Sequence, residues 1–496
     1  MADTDPLKDL ELLIRSRYCV VHVDTAEEER AAGLVSHVAD RLGLPLFEWS
    51  RTKGLRRTDK DGAIFKTQEP AGALAHIAAA RFPAVYHFRG LGPHLQDPDV
   101  AALLRDAAAP FAEVGGAIVL TGADVTLPDA VGPMSARVEL APPPLEEYRR
   151  LLTRVLRDVH ARTPVRVEMT PRDTTRLLNA IKGLTLMEAE KLLTRAIIED
   201  GRLTPDDLHV VVEAKREIVE REGLLEYYPA EETMADIAGL EGLKQWLAQR
   251  RAIIAEPERA AAYGLSFPKG VLLVGVPGCG KSLCAKAVAM EWALPLLKLD
   301  PANLYNKYIG ESEKNFKRAV ETAERMAPVV LWIDEIEKAF ATAGDGDGGV
   351  SQRVLGTFLS WLQDRNGDVF VVATANDVSR LPPEFLRKGR FDEIFFVDLP
   401  DEAARRALFA IHLKRRGQAP ARFDVDVLAR ATDGFSGAEV EQVVVSGLYT
   451  AFAASQPLTT ATLLEEAART QPLSRTMAEK IAALRAWARE RTVAAG

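Results

Sequence analysis

The chain has 496 residues and a formal net charge of −8 at pH 7, with a sequence pI of about 5.7. That length is too great for one hydrophobic core, so about two to four compact units are expected. Hydrophobic residues at 47% and charged residues at 27% are those of a water-soluble globular protein, and the acidic balance argues against a chain built to bind nucleic acid or an anionic membrane.

Residues 6–16 read as a helix, 18–23 as a strand, 24 to about 42 as a helix rich in Glu and Ala, and 44–49 as a second strand. The basic, polar stretch 51–66 reads as a loop. A helix near 70–81, a strand at 84–88, a helix near 98–108, a strand at 117–121, a loop at 124–134 and a short strand at 138–140 follow. Strands alternating with helices predict a parallel, doubly wound sheet. Pro142-Pro143-Pro144 marks a boundary, and 145–222 reads as helices with short turns. The order then recurs. After a joint at 227–232 come a helix over about 241–260 and strands at 271–274, 294–299, 329–333, 369–373 and 394–397, closed by Leu399-Pro400. A second helical unit covers about 402–453, and a compact helix covers 477–491. The predicted layout is an α/β module at 1–144 without a phosphate loop, a helical unit at 145–226, a second α/β module at 227–400, and a helical unit with its C-terminal helix at 401–496.

Local matches suggest a duplication: Leu127-Pro128 with Leu381-Pro382, 140–152 with 399–409, and 183–190 with 434–441. Two unrelated α/β units with similar joints are the alternative. The three cysteines, Cys19, Cys279 and Cys284, show no metal-ligand spacing and suit a reducing compartment. The N-terminal residues carry no leader-like apolar run, and no uninterrupted apolar stretch reaches about 18 residues. A cytoplasmic protein without a membrane span is expected.

The stretch 269–282, Lys-Gly-Val-Leu-Leu-Val-Gly-Val-Pro-Gly-Cys-Gly-Lys-Ser, carries the chemistry. Val271 to Val274 are apolar, as in a buried parallel strand. Gly275, Gly278 and Gly280, with Val276, Pro277 and Cys279 between them, let the backbone turn so that successive N–H groups point at one spot. Lys281, Ser282 and Leu283 then open a helix. This is Gly-x-x-x-x-Gly-Lys-Ser, a phosphate-binding loop: converging amides and a helix N-terminus bind phosphate oxygens. Lys281 adds charge at the β- and γ-phosphates, and the Ser282 hydroxyl is placed to hold Mg²⁺. Downstream, the apolar strand 329–333 ends in Asp334-Glu335. Asp334 is expected to bind Mg²⁺ and Glu335 to orient and polarise the attacking water; a helix cap is the plainer alternative. The next strand ends in Asn376, which can hold the same water or only form a turn. Arg387 and Arg390 lie three residues apart and can be surface charges, or reach a neighbouring subunit's γ-phosphate.

The first module has Asp24-Thr25-Ala26-Glu27-Glu28-Glu29 where the second has its phosphate loop, and His87-Phe88-Arg89 in place of the acidic pair. Acidic side chains repel phosphate, so the first copy is expected to be catalytically dead. Cys279 admits an oxidative switch, although a small filler residue is the simpler reading. The basic stretch with Arg51, Lys53, Arg56, Arg57 and Lys60 can touch an acidic partner or simply be solvated.

In this order the motifs resemble the AAA family of ATPases, over about residues 233–450. Asp236, Ile237, Ala238 and Gly239 are similar to the family's segment around adenine, Gly275–Ser282 to its first Walker motif, and Asp334-Glu335 to its second. Asn376 falls at the first sensor, and Arg387 and Arg390 where the paired arginine fingers lie. Ile411-His412 resembles lid residues near adenine and ribose. Ser436, Gly437 and Ala438 resemble the lid turn that replaces a second-sensor arginine. Tyr308, Ile309 and Gly310 resemble the pore loop of protein-remodelling members, with local packing of Tyr308 and Ile309 as the alternative. The layout as a whole is similar to two-module AAA ATPases of cyanobacteria, red-algal plastids and other bacteria. The resemblance implies a P-loop NTPase sheet with an α-helical lid, preceded by a degenerate AAA-like module with its own helical unit. It further implies ATP and Mg²⁺ as ligands, hydrolysis to ADP, a homo-oligomeric ring of six, and remodelling or disassembly of a protein client. An ATP-dependent switch or assembly scaffold without threading is the competing function; action on nucleic acid is disfavoured by the acidic pI and the lack of a DNA-binding motif.

Overall fold

Runs of Val, Ile and Leu, each followed by a helix, pair in parallel because the helical crossover returns the chain to the same end of the sheet. A computed structural model describes residues 6–25, 27–123, 125–140, 142–221, 223–228, 237–304, 311–340, 350–365, 367–387 and 389–496. They fall into two units, Met1–Val211 and Val212–Gly496.

The first unit holds β1 (Val20–Asp24), β2 (Leu46–Ser50), β3 (Gly54–Arg57), β4 (Ala84–Arg89), β5 (Gly116–Gly122) and β6 (Ser135–Glu139), in the order β3-β2-β4-β5-β1-β6. Side chains alternate between two cores, as a strand covered on both faces requires. Tyr86 and Phe88 share one core with Ile118 and Leu120, while Val85 shares the other with Val21 and Val119. Helices Leu145–His160, Pro171–Ile181 and Leu186–Asp200 follow, together with the paired two-residue strands β7 (Arg166–Val167) and β8 (Arg202–Leu203).

The second unit holds β9 (Leu225–Tyr228), β10 (Gly270–Gly275), β11 (Leu296–Leu299), β12 (Val329–Ile333), β13 (Val369–Ala375), β14 (Glu393–Val397) and β15 (Val493–Ala494), in the order β15-β14-β10-β13-β12-β11-β9. Val271 and Leu273 share a core with Trp292 and Phe370, whereas Leu272 and Val274 share the opposite one with Phe316 and Phe358. Trp292 and Trp332 are buried and Trp361 packs half-buried against a core, so these indoles fill space. A separate apolar cluster built on Phe409, Leu428, Val440 and Leu463 holds the lid helices together. Without edge strands, the two sheets have the same arrangement: β2-β4-β5-β1-β6 in one and β11-β12-β13-β10-β14 in the other. The lid turns match too. Thr185 with Glu188 and Ser436 with Glu439 form equivalent capping boxes at the starts of helices Leu186–Asp200 and Gly437–Ala453.

Several elements differ from expectation. The stretch 51–66 contains β3, a hairpin partner of β2; its three arginines are paired, Arg56 with Glu48 at 2.8 Å, Arg57 with Asp59 at 2.8 Å and Arg51 with Glu69 at 3.2 Å. The expected joint at 227–232 begins inside β9, which runs antiparallel to β11. The two compact units meet at Val211 and Val212, inside helix Asp207–Glu220. The helix expected over 241–260 is two helices, Glu241–Ala255 and Pro257–Ala262, because a proline opens a helix more readily than it continues one. The C-terminal helix is Ala478–Ala488, after which β15 adds a parallel strand beside β14.

Candidate active site

β10 is buried throughout, and it ends in glycine for a steric reason. A Cβ on Gly275 would lie 1.9 Å from the carbonyl oxygen of Val397 on β14. That oxygen also accepts the Val276 N–H at 3.1 Å. Gly278 (φ 78) and Gly280 (φ 87) adopt the left-handed backbone that side chains disfavour. Gly280 caps the helix Lys281–Trp292, so the loop's amides and the helix N-terminus act on one region. Lys281 is buried, and its Nζ donates to the carbonyls of Gly275 at 2.9 Å and Val276 at 2.8 Å. Burial lowers its ammonium to about 8, which leaves it charged at pH 7. Leu283 and Cys279 are half-buried against the core beneath the loop. Burial pushes the Cys279 thiol up to about 11, so little of the reactive thiolate forms at neutral pH, and the chemistry gives no support to an oxidative switch.

Three adjacent strands deliver the remaining groups. Ser282 Oγ donates to Asp334 Oδ1 at 3.0 Å. Thr374 Oγ1 donates to the same oxygen at 2.5 Å and accepts the Glu335 N–H at 3.0 Å. Asn376 Nδ2 donates to Glu335 Oε1 at 2.9 Å, and its backbone N–H donates to Glu337 Oε1 at 2.9 Å. Glu335 also pairs with Lys338. Glu337 is buried, and desolvation raises its carboxyl above the usual range. Ser282 and Asp334 offer two hard oxygen donors. Among the described residues, no three or more His, Cys, Asp or Glu gather as a metal cage. One hydroxyl and one carboxylate beside a phosphate loop fit Mg²⁺, which keeps much of its shell for water and phosphate oxygens.

On the other side, the Ile237 carbonyl accepts from Lys244 Nζ at 2.9 Å. A Cβ on Gly239 (φ 68) would lie 3.3 Å from the Ala404 methyl. His412 is buried on helix Glu402–Arg415; its ring lies 3.9 Å from Glu441, and burial lowers its pKa. Ala438 N–H donates to the Gly278 carbonyl at 3.0 Å, and a Cβ on Gly437 would lie 3.2 Å from that oxygen. The lid turn therefore rests on the phosphate loop, while Ala238 lies between Ile237 and Gly239 in the segment touching the lid. Arg390 donates to the Glu384 carbonyl. Arg387 is exposed and makes no ion pair among the described residues. Among the described residues, neither guanidinium has a hydrogen bond or ion pair to Ser282, Asp334, Glu335 or Asn376. Asp236, Tyr308, Ile309, Gly310 and the glycine-rich stretch 344–349 lie outside the described residues.

Thr374, Glu337 and Lys338 were not singled out from sequence. The available signals were a hydroxyl inside the apolar run Val-Phe-Val-Val-Ala-Thr-Ala and a third carboxylate after Asp334-Glu335.

In the first unit the equivalent place carries ion-paired side chains. Glu27 follows the end of β1 by three residues, as Gly278 follows the end of β10. Its Oε1 accepts the N–H of Leu186, the first residue of the lid helix, at 2.8 Å. Arg30 pairs with Glu27 at 3.1 Å and Glu147 at 3.2 Å. Arg89, at the end of β4, pairs with Glu28 at 3.5 Å and Glu29 at 2.5 Å.

Residues 271–399 match the family model described as the ATPase family associated with various cellular activities (AAA). Residues 6–140 and 146–222 match the N-terminal and second domains of SpoVK-like AAA ATPases. The uncharacterized AAA domain-containing protein ycf46 of Guillardia theta is 34% identical over 97% of this chain and 94% of its own length. Its counterpart in Pyropia yezoensis is 33% identical over 97% of each. The ATP-dependent zinc metalloprotease FtsH 1 of Sphaerobacter thermophilus is 37% identical over 43% of this chain and 33% of its own length. No described helix is long and apolar enough to cross a membrane.

Proposed function

The chain belongs to the AAA family of ATPases, and from that membership we propose that it cleaves Mg²⁺-bound ATP in a homo-oligomeric ring of six and uses turnover to remodel a protein client. The observation that carries the catalytic part is the convergence of Lys281, Ser282, Asp334, Glu335 and Asn376 at the ends of β10, β12 and β13. Phosphoryl transfer to water requires positioning and charge stabilisation, with little covalent chemistry from the protein.

In this reading the loop amides and Lys281 hold the triphosphate, and Ile237–Gly239 with His412 flank the base and ribose. Ser282 and Asp334 would hold Mg²⁺, which would supply positive charge to offset that developing on the transferred phosphoryl group. Glu335 orients the attacking water and accepts its proton, and the Asn376 amide fixes the rotamer of Glu335. Arg387 and Arg390 act on the neighbouring protomer's nucleotide. The exposure of Arg387 and the bond of Arg390 to the Glu384 carbonyl, with neither bonded to the cluster of their own chain among the described residues, support a role in trans. Such arginines contribute about 10³-fold or more to turnover.

Remodelling rests on Tyr308, Ile309 and Gly310, an aromatic–aliphatic–glycine sequence whose side chains suit gripping an extended chain. With ATP present, the Glu335→Gln protein should retain a client in a pull-down, and adding Tyr308→Ala should release it. Tyr308→Ala alone should keep its ATPase rate. If client retention is unchanged by Tyr308→Ala, a nucleotide-set switch or scaffold replaces the threading reading.

A further inference from the structure

We propose that Thr374 is a positioning residue for hydrolysis, setting where the carboxylates of Asp334 and Glu335 part company. The proposal rests on the assignment of Asp334 to the metal and Glu335 to the water. Thr374 is the penultimate residue of β13 and is 1% exposed. Its register partner Leu273 lies on β10, the strand that leads into the phosphate loop. One hydroxyl serves two neighbours: it donates to Asp334 Oδ1 at 2.5 Å and accepts the Glu335 N–H at 3.0 Å. A threonine oxygen has one proton and two lone pairs, so both bonds form together.

The second bond falls at a costly place. Glu335 has φ 48, a left-handed conformation uncommon for a residue with a side chain and one that persists only where the surroundings impose it. Glu335 lies in the turn just after β12, which ends at Ile333. The conformation lets Asp334 turn towards Ser282 and Glu335 towards Asn376, where a continuing strand would send the two side chains to opposite faces. Thr374 holds the amide at the turn and the carboxylate before it. The metal side and the water side are thereby tied through one oxygen. A branched apolar side chain would fill the same space and supply neither bond.

The test compares Thr374→Val, Thr374→Ala and Thr374→Ser in the full chain. Removal of the hydroxyl should lower kcat by about 10- to 100-fold, the scale of a small misplacement of reacting groups, and should raise the Mg²⁺ concentration needed for half-maximal turnover. ATP affinity measured in EDTA should change less than about threefold, because the loop amides and Lys281 remain. Thr374→Ser should recover most of the lost turnover and restore the Mg²⁺ midpoint. A folded Val or Ala variant with wild-type kcat and an unshifted Mg²⁺ midpoint overturns the proposal; so does a Ser variant as impaired as Ala. If Val does not fold, Ala and Ser decide alone. Asp334→Asn and Glu335→Gln are run alongside. Loss of turnover in both, with none in Thr374→Val, refutes only the role of Thr374, whereas full activity in either refutes the site assignment beneath it.

Discussion

Lys281 and Glu335 separate binding from chemistry. Lys281→Ala removes a buried ammonium aimed at the loop and should weaken ATP binding by about 10- to 100-fold, the value of one or two charge-assisted hydrogen bonds. Calorimetric titration measures this. Glu335→Gln keeps the shape of the side chain and should bind ATP with near-native affinity while turnover falls by about 10²-fold or more, as expected on loss of a general base. Normal turnover in that variant would refute the role given to Glu335. At Cys279 the expectation runs the other way. With its thiol pushed up to about 11, mild peroxide should leave ATPase activity unchanged in wild type and in Cys279→Ala alike. Rapid inactivation that is absent in the alanine variant would restore the switch reading. The phosphate loop, the acidic pair and Asn376 were legible because their types and spacing follow from phosphate chemistry. Thr374 was not, since a threonine in a strand reads as an ordinary β-former, and its second role appears only once β12 and β13 are paired.

Among the elements, the central strands were legible, while the edge strands β3, β9 and β15 were not. β10, β12 and β13 are continuous apolar runs buried on both faces. β3 buries little beyond Gly54 and Leu55, and β9 and β15 exist through the partners they pair with. Edge strands carry half a ladder and a weaker pattern. β4 also supports a pH prediction. His87 is buried within it, with Nε2 3.0 Å from Thr121 Oγ1 and Nδ1 without a hydrogen-bond partner among the described residues. Burial lowers its pKa to about 4, against about 6.5 in an unfolded chain. Above pH 6.5 the ring is neutral in both states. As pH falls from about 6.5 to about 4, the unfolded state takes a proton that the native state refuses, so stability is lost across that window, by about 3 kcal/mol in full. Urea unfolding at pH 7 and at pH 4.5 should show a smaller acid loss in His87→Asn. Equal losses in the two proteins would show that His87 does not control this window.

At the level of the whole molecule, one strand order occurs twice with opposite chemistry at its mouth. The second unit sets glycines and a lysine after its first parallel strand; the first sets Glu27 there and gives its carboxylate to the lid helix. The repeat was legible in the matched lid turns, 183–190 and 434–441, because a capping box fixes residue type at both ends. In the proposed mechanism, ATP held by the second unit is cleaved with the help of arginine from an adjoining copy. The most direct test mixes Arg390→Ala protomers, which keep their own loop and Glu335, with Glu335→Gln protomers, which keep their arginines, and follows ATP hydrolysis against mixing ratio. Shared sites predict turnover above the sum of the two parents, greatest at intermediate ratios. Turnover that stays additive at every ratio would contradict catalysis across the subunit boundary.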